Sequence, residues 1–390
     1  MNDQAIGQFD GLSISSGFDS GNIIVDGRKG ASFDLAIARD HQSDFYQWFH
    51  FRLNGAKGVP VTLRIGNAGG SAYPDGWKDY RACASHDRQD WYRVPTSYAN
   101  GMLTIAFTPE ADSVWIAYFA PYSIERHHDL VARIAAAPGV IHERLGATLD
   151  GQDLDLLTIG EGPKQIWFYA RQHPGESMAE WWIEGALERL TDPHDPVAVD
   201  LRRRATFHIV PNMNPDGSRR GHLRTNSVGV NLNREWHEPT LERSPEVWHV
   251  LRRMDATGVD FAMDVHGDEA IPHVFIAGFE GIPTWTEAQG QAYHLFRDTL
   301  ARRTPDFQTR HGYPTAGKGK ANLSMSTNQL ANRFGCVATT LEMPFKDNND
   351  LPDPRRGWSP ERSKRLGAEC LGALHEVLDQ LPASRSGATF

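Results

Sequence analysis

The chain has 390 residues, 40% of them hydrophobic, and carries a formal net charge of −9. This length favours two domains over one, and the negative charge argues against nucleic acid as the main partner. No run of about 18 apolar residues occurs, so neither a membrane-spanning helix nor a membrane partner is expected.

The cysteines and the first residues indicate the cellular compartment. Cys83, Cys336 and Cys370 are far apart in the sequence and odd in number, so they are interpreted as reduced thiols. The start of the chain has neither the basic nor the apolar segment of a signal peptide. Both features predict a cytoplasmic protein, and neither predicts its oligomeric state.

Residues 1–125 show the hydrophobic pattern of β-strands. Apolar side chains alternate with polar ones at 61–65, 103–107 and 114–118, which is the two-residue period of a half-buried strand. Several short strands separated by Gly, Pro, Asn and Asp turns predict an antiparallel β-sandwich, which we expect to form an N-terminal domain beside the entrance of the site. The many aromatic residues are interpreted as its core, with a carbohydrate-binding surface as the alternative.

From residue 126 onwards, strand and helix patterns alternate. This alternation predicts an α/β domain over 126–382, with a mixed, mainly parallel sheet flanked by helices, followed by a flexible tail at 383–390. The first helix is expected at 177–190, where Ser177 and Glu180 fit a capping box. The other predicted elements are strands at 165–170, 206–210, 259–264, 274–277 and 336–341, and helices at 243–256, 285–303 and 359–381.

Three polar residues follow predicted strands directly. His173 and Glu176 come after the strand at 165–170, and His266 comes after the strand at 259–264. Open α/β sheets bind ligands at the carboxyl ends of their strands, so these side chains are expected to lie together. Two imidazoles and one carboxylate form a zinc site that leaves one coordination position for water, and we predict one Zn²⁺ per chain. The histidines that compete for this role are His127, His128, His222 and His237.

Glu342 follows the predicted strand at 336–341, where a carboxylate would be costly unless it is used or paired. Its predicted role is that of a general base, which takes a proton from the zinc-activated water and passes it to the leaving amine. The alternative is a salt bridge to an arginine. Together with the zinc site, this carboxylate predicts a hydrolase of amide bonds.

A second group of polar residues follows the turn at 211–217. Arg224 and Arg234 could bind a substrate carboxylate through two hydrogen bonds or polarise the scissile carbonyl, with surface cations as the alternative. Asn231 could hydrogen-bond a zinc-ligating histidine, and Asn233 could be a turn residue. The group predicts recognition of an anionic substrate end.

Four motifs occur in an order that resembles a known family. They are His173-Pro-Gly-Glu176, Pro211-Asn-Met-Asn-Pro-Asp-Gly217, Asn231-Leu-Asn-Arg234 and Asp264-Val-His266. They resemble the funnelin-type zinc carboxypeptidases, and more narrowly the bacterial form of the cytosolic carboxypeptidases, the deglutamylase branch. The segments 48–52, 89–93 and 114–122 resemble the N-terminal β-sandwich of that branch.

The resemblance implies a zinc metallocarboxypeptidase that hydrolyses C-terminal residues from peptides or proteins. The residues carried over are His173, Glu176 and His266 as zinc ligands, Glu342 as general base, Arg224 as the group that polarises the carbonyl, and Asn233 and Arg234 as the binding site of the terminal carboxylate.

Two positions depart from the family pattern. Asn231 stands where the family usually has an aspartate, which replaces a charged contact to a zinc-ligating histidine with a neutral one. The tyrosine that digestive carboxypeptidases place before the general base has no clear match, because Tyr313 lies too far upstream.

Side-chain specificity is predicted from the segment 317–333, which is expected to line the substrate pocket. Its basic residues Lys318, Lys320 and Arg333 suit an acidic side chain such as glutamate. A solvated loop is the alternative.

Two other functions stay open from the sequence. The first is an N-acyl amino acid deacylase of the aspartoacylase or succinylglutamate desuccinylase type, which shares the zinc triad and an Asn-Arg pair. Its first motif normally reads His-Gly-x-Glu and its extra domain normally comes second, so the order found here favours the carboxypeptidase. The second is a non-catalytic peptide-binding module, against which the complete triad and Glu342 argue.

Overall fold

The computed structural model describes residues 11–382. The predicted tail at 383–390 lies outside the described residues, as do the residues before position 11.

The first part of the described chain consists of two five-stranded sheets. Its strands are β1 (Ser13–Ser15), β2 (Ile24–Lys29), β3 (Ser32–Ala36), β4 (His50–Asn54), β5 (Val61–Ile65), β6 (Cys83–Ser85), β7 (Tyr92–Arg93), β8 (Thr96–Ala99), β9 (Met102–Phe107) and β10 (Ser113–Ala117). The sheets have the strand orders β1-β4-β10-β6-β7 and β2-β3-β5-β9-β8. Neighbouring strands are antiparallel, as predicted, except for β3 and β5, which run parallel.

Alternating burial explains these strands. In β5, Val61, Leu63 and Ile65 are buried, whereas Thr62 and Arg64 are partly exposed, so one face of the strand packs into a core. Aromatic side chains form much of that core, as interpreted from the sequence, whereas others such as Tyr98 and Trp115 are partly exposed. The fully buried ones include Trp48, Phe49, Phe51, Trp77 and Tyr118.

The change from strands to alternating strands and helices falls after β10. The first α-helix, α1, spans Ile124–Ala135. We keep the division into an N-terminal β-sandwich domain at 1–125 and an α/β domain at 126–382 as a proposal that this change supports.

The second part of the described chain is an α/β unit. Its strands are β11 (Val140–Ala147), β12 (Asp153–Ile159), β13 (Lys164–Ala170), β14 (Ala205–Val210), β15 (Phe261–Asp268), β16 (Phe275–Ala277) and β17 (Val337–Pro344). The helices after α1 are α2 (Met178–Leu190), α3 (Pro196–Arg204), α4 (Pro215–Arg220), α5 (Pro245–Thr257), α6 (Glu287–Arg303), α7 (Ser326–Phe334) and α8 (Pro360–Val377).

The seven strands form one sheet with the order β11-β12-β14-β13-β15-β17-β16. The four central strands β14, β13, β15 and β17 run parallel, and the pairs towards both edges are antiparallel. The predicted mixed sheet flanked by helices is therefore confirmed. The parallel strands bring their carboxyl ends to one edge, where the predicted ligands lie.

Two strands extend further than the sequence indicated. Every residue of β15 and β17 is buried, because α2, α6 and α7 pack against them. His266 and Glu342 therefore lie within these strands rather than after them, and they are paired in register. The register places the two side chains side by side on adjacent strands.

The capping box predicted at the start of α2 is wrong. Ser177 has helical dihedral angles, and its hydroxyl donates to Ala120 O at 2.9 Å instead of capping the helix. The Glu180 carboxylate accepts from Arg171 Nη1 at 2.8 Å. Tertiary contacts with better partners outweigh the local motif.

Helices α2 and α8 pack backbone to backbone. A Cβ on Gly185 would lie 2.1 Å from Lys364 O, and a Cβ on Gly367 would lie 2.3 Å from Trp182 O. The two glycines are required by this close approach, which fixes α2 behind the turn that carries the first predicted ligands.

Candidate metal centre and active site

The turn after β13 carries His173 and Glu176. Arg171 begins this turn in the left-handed region, with φ of 57°. Its guanidinium donates to Pro174 O at 2.5 and 3.2 Å and to Tyr122 O at 3.0 Å. These bonds fold the turn back on itself, so that both polar side chains face the same point.

The side chains of His173, Glu176 and His266 converge at that point. Glu176 Oε1 lies 2.8 Å from His173 Nδ1, and Glu176 Oε2 lies 2.7 Å from His266 Nδ1. The two Nδ1 atoms are 3.2 Å apart, and the three residues are 5%, 2% and 1% exposed. All the ligand atoms lie within 4.8 Å of one another.

The second nitrogen of each imidazole faces an oxygen. His173 Nε2 lies 3.1 Å from Asn231 Oδ1. His266 Nε2 lies 2.8 Å from Asp264 Oδ2, although its N–H does not point at that oxygen. Asp264 Oδ2 is held in turn by Gln172 Nε2 at 2.6 Å. Metal-ligating histidines characteristically donate the N–H of their other nitrogen to an oxygen, as His173 does to Asn231.

The donor set fits a zinc ion. Two imidazole nitrogens and a carboxylate are preferred zinc ligands, and their close approach requires a cation or shared protons between them. Burial, with the nearby Arg224, lowers the pKa of His173 to about 4, so its ring is neutral and has a lone pair to offer. The competing histidines His127, His128, His222 and His237 are not part of this group.

Glu342 lies beside the three candidate ligands. Its Oε1 is 3.2 Å from Tyr313 OH, and its Oε2 is buried without a hydrogen-bond partner in the described chain. Burial raises the pKa of Glu342 well above its usual range, and the carboxylates of Glu176, Asp268 and Glu269 add to the effect of burial, against the opposing influence of His266. No arginine pairs with it among the described residues, contrary to the salt-bridge alternative.

Two arginines face the same cavity. Arg234 is exposed at its mouth and donates only to Asn233 O, at 2.6 Å, among the described residues. Partial desolvation of the guanidinium in the cavity, and then the charge of Arg224, lowers the pKa of Arg234. Asn233 Oδ1 accepts from Ser326 N at 2.9 Å, which leaves the Asn233 amide NH₂ available as a donor. Two neighbouring cations that pair with no carboxylate of the described residues are an arrangement that suits an anionic ligand.

One cavity of about 520 Å³ contains the predicted zinc ligands, general base and carboxylate-binding residues. It is lined by His173, Glu176, Arg224, Asn233, Arg234, His266 and Glu342. The structure therefore brings these seven candidates together.

Among the other residues that line this cavity, four carry ionisable groups to which the sequence analysis gave no role. Tyr313 OH donates to Asp268 Oδ2 at 2.6 Å and lies next to Glu342. Tyr73 comes from the first part of the chain, and Glu269 follows Asp268 directly. Asp268 and Glu269 could have been suspected because they follow His266 closely, whereas the position of Tyr73 has no signal in the sequence.

The three basic residues from which a preference for acidic side chains was predicted lie in three different places. Arg333 forms an ion pair with Asp255 at 2.7 Å and does not line the cavity. Lys318 is exposed. Lys320 lines a groove of about 500 Å³ that shares Tyr313 with the cavity.

Two known protein families match this chain, one in each of its two parts. The sequence profile of the cytosolic carboxypeptidase N-terminal domain matches residues 14–119, and that of the zinc carboxypeptidases matches residues 130–260. An uncharacterized protein of Zymomonas mobilis is 60% identical over 373 residues, which cover 96% of this chain and 98% of that protein.

Two more relatives have descriptive names. The structure of a metallo-carboxypeptidase from Pseudomonas aeruginosa, in complex with (2-guanidinoethylmercapto)succinic acid, is 46% identical and has a TM-score of 0.92. The similarity covers 95% of this chain and 100% of that one. Mouse cytosolic carboxypeptidase 1 is 29% identical over 69% of this chain, and the match spans only 26% of the mouse protein.

None of the helices in the described part of the chain is long and apolar enough to cross a membrane.

Proposed function

The chain belongs to the zinc carboxypeptidase family, in the branch with a cytosolic carboxypeptidase N-terminal domain, and we propose that it removes C-terminal residues from peptides or proteins. The family is one of peptide hydrolases, and neither a deacylase nor a non-catalytic peptide-binding module is favoured by the comparisons. The cytoplasmic location predicted from the cysteines belongs to this proposal.

His173, Glu176 and His266 would hold one zinc ion per chain. The bound ion supplies a Lewis acid that lowers the pKa of water and polarises a carbonyl group. The fold brings the three donor side chains to one point and holds the two imidazole rings there. Asn231 accepts from His173 Nε2 and so favours the tautomer that presents Nδ1 to the ion.

Glu342 is the proposed general base and acid. Its Oε2 has no partner among the described residues, so it is free to take a proton from the attacking water and to return it to the leaving amine. Arg224 faces the same cavity, and its guanidinium would stabilise the negative charge that develops on the carbonyl oxygen.

The pair of arginines is the observation that indicates which end of the substrate is cleaved. Arg224 and Arg234 share one cavity, and no described carboxylate forms an ion pair with either of them. Arg234 and Asn233 line the same cavity, and the guanidinium of the one and the NH₂ group of the other can donate together to a terminal carboxylate. An enzyme with this anchor acts on the last residue of a chain that ends in a free carboxylate.

An acidic preference is the finer part of the proposal. It rests on Lys320, which lines the groove adjoining the cavity, because Arg333 is engaged by Asp255. The ligand of the Pseudomonas aeruginosa relative is a succinic acid derivative, and its carboxylates are of the kind that the proposed Asn233 and Arg234 anchor would bind. The same ligand carries a guanidino group, so it supports the carboxylate anchor and not the acidic preference.

Matched peptides test the proposal. Peptides of one sequence, ending in a free carboxylate or an amide, are compared by mass spectrometry. The amide should be cleaved roughly a hundredfold more slowly, because it loses a charge-assisted contact. Arg234→Ala should abolish most of this difference, while Arg243→Ala, an exposed cation paired with Glu235, should keep it.

Equal cleavage of free and amidated peptides by the unaltered protein would rule out carboxylate anchoring. In the same assay, free peptides ending in Glu should be cleaved faster than those ending in Phe or Lys. The reverse order would remove the acidic preference and leave the carboxypeptidase proposal intact.

A further inference from the structure

We infer that Asp40, in the first part of the chain, is a positioning residue for Arg224. The inference rests on the proposed function, in which Arg224 stabilises the charge on the scissile carbonyl. Asp40 lies between β3 and β4, 184 residues before Arg224, and is only 2% exposed. A buried carboxylate needs strong hydrogen bonds to offset the loss of water, and those bonds lead directly to Arg224.

The Asp40 carboxylate accepts four hydrogen bonds from three consecutive residues. Oδ1 accepts from Leu223 N at 2.7 Å, and Oδ2 accepts from Arg224 N at 2.8 Å. Oδ2 also accepts from Thr225 N at 2.9 Å and from Thr225 Oγ1 at 3.0 Å. Hydrogen bonds to an ionised acceptor are roughly twice as strong as neutral ones, so this carboxylate fixes the backbone on both sides of Arg224.

A second contact holds the same loop from the neighbouring residue. His41 N donates to His222 Nε2 at 3.1 Å, and His222 Nδ1 lies 3.0 Å from Thr225 O. The backbones also meet further along, since a Cβ on Gly229 would lie 2.3 Å from Gln42 O. The loop that carries Arg224 is therefore clamped to residues 40–42 of the first part.

The tip of the Arg224 side chain is held less firmly than its backbone. The Arg224 Cζ atom lies 5.5 Å from the ring centre of Phe45 and 5.4 Å from that of Tyr73. No ion pair among the described residues anchors the guanidinium. Its direction therefore depends on where the backbone is held. A displacement of about 1 Å of a catalytic group can cost roughly a hundredfold in rate.

Asp40 could instead have a merely structural role, in which it joins the two parts of the chain and has no effect on Arg224. The positioning role and the structural role predict different effects of losing Asp40. If Asp40 acts through Arg224, then its loss has no further effect once the guanidinium is absent. If Asp40 acts only on the fold, its loss lowers activity by the same factor whether or not Arg224 is present.

The experiment is a double-mutant cycle on the full chain with zinc bound. The variants are Asp40→Asn, Arg224→Ala and the combination, assayed on a free-acid peptide with kcat and KM measured separately. Asp34→Asn is the matched control, because Asp34 is an exposed aspartate in the same part of the chain, paired with Arg64. Zinc content and thermal unfolding establish that each variant is folded. Thr225→Val, which removes one of the four hydrogen bonds, replaces Asp40→Asn if the latter does not fold.

We expect Asp40→Asn to lower kcat about tenfold with KM within about twofold, since the contact of Arg224 strengthens in the transition state. In the Arg224→Ala background the same change should alter kcat less than about twofold. An equal loss in both backgrounds, or full activity of Asp40→Asn and Thr225→Val, overturns the inference. Failure of the proposed function has a separate signature, namely that Arg224→Ala alone keeps full activity.

Discussion

At the scale of single residues, the chemistry of the site depends on which buried carboxylates have hydrogen-bond partners. Glu176 is approached by both imidazoles and also accepts from Gly267 N at 3.1 Å. Among the described residues, Glu342 has a hydrogen-bond partner on one oxygen only. Burial raises its pKa well above the usual range.

The first residue to test is therefore Glu342. Glu342→Gln keeps the size of the side chain and removes the basic oxygen, so we expect kcat to fall roughly a hundredfold to ten-thousandfold while zinc content and unfolding temperature stay near their original values. Glu238→Gln, at an exposed position, serves as the control. A Glu342→Gln protein that cleaves the peptide at the original rate would remove Glu342 from the mechanism.

At the scale of elements, the central strands could be predicted because each is a short apolar run that is buried on both faces. The predicted ligands follow from their chemistry, since few side chain types bind zinc. β11 could not be predicted, because it is an edge strand with a partly solvated face, where Ile141 is 66% exposed. The capping box predicted at Ser177 does not form, because Ser177 and Glu180 make tertiary contacts that a local sequence pattern cannot predict.

One such contact joins three elements behind the site. His127 on α1 lies 2.6 Å from Glu180 Oε1 on α2 and 3.2 Å from Asp155 Oδ2 on β12. Burial by itself lowers the pKa of His127, but the two carboxylates outweigh it and raise the pKa from 6.5 to about 9. The folded state thus binds this proton more tightly than the unfolded state.

This network predicts a pH-dependent stability. The contribution of His127 is complete below about pH 6.5 and is lost as the pH rises through about 9, and the shift corresponds to roughly 3 kcal/mol. Urea unfolding across that range should show the stability gap between the unaltered protein and His127→Gln narrowing by an amount of that order. His128→Gln, at the exposed neighbouring position, should leave the profile unchanged. Parallel profiles for the unaltered protein and His127→Gln would show that His127 carries no such proton.

At the scale of the whole molecule, the first part of the chain contributes to the site through single residues. Tyr73 lines the cavity, and Asp40 holds the loop of Arg224. Sequence patterns predicted the existence of both parts but not these contacts, because residues so far apart in the chain share no periodicity. The same limit applies to Tyr313, whose approach to Glu342 depends on the path of the intervening loop.

We expect one zinc ion, held by His173, Glu176 and His266, to support peptide hydrolysis, and zinc titration of the chelator-treated protein measures this dependence. Hydrolysis of a free-acid peptide is followed as zinc is added back. We expect no turnover without the metal and a linear return of activity that levels off at one equivalent per chain. Full activity in the zinc-free protein, or activity that does not respond to added zinc, would contradict it.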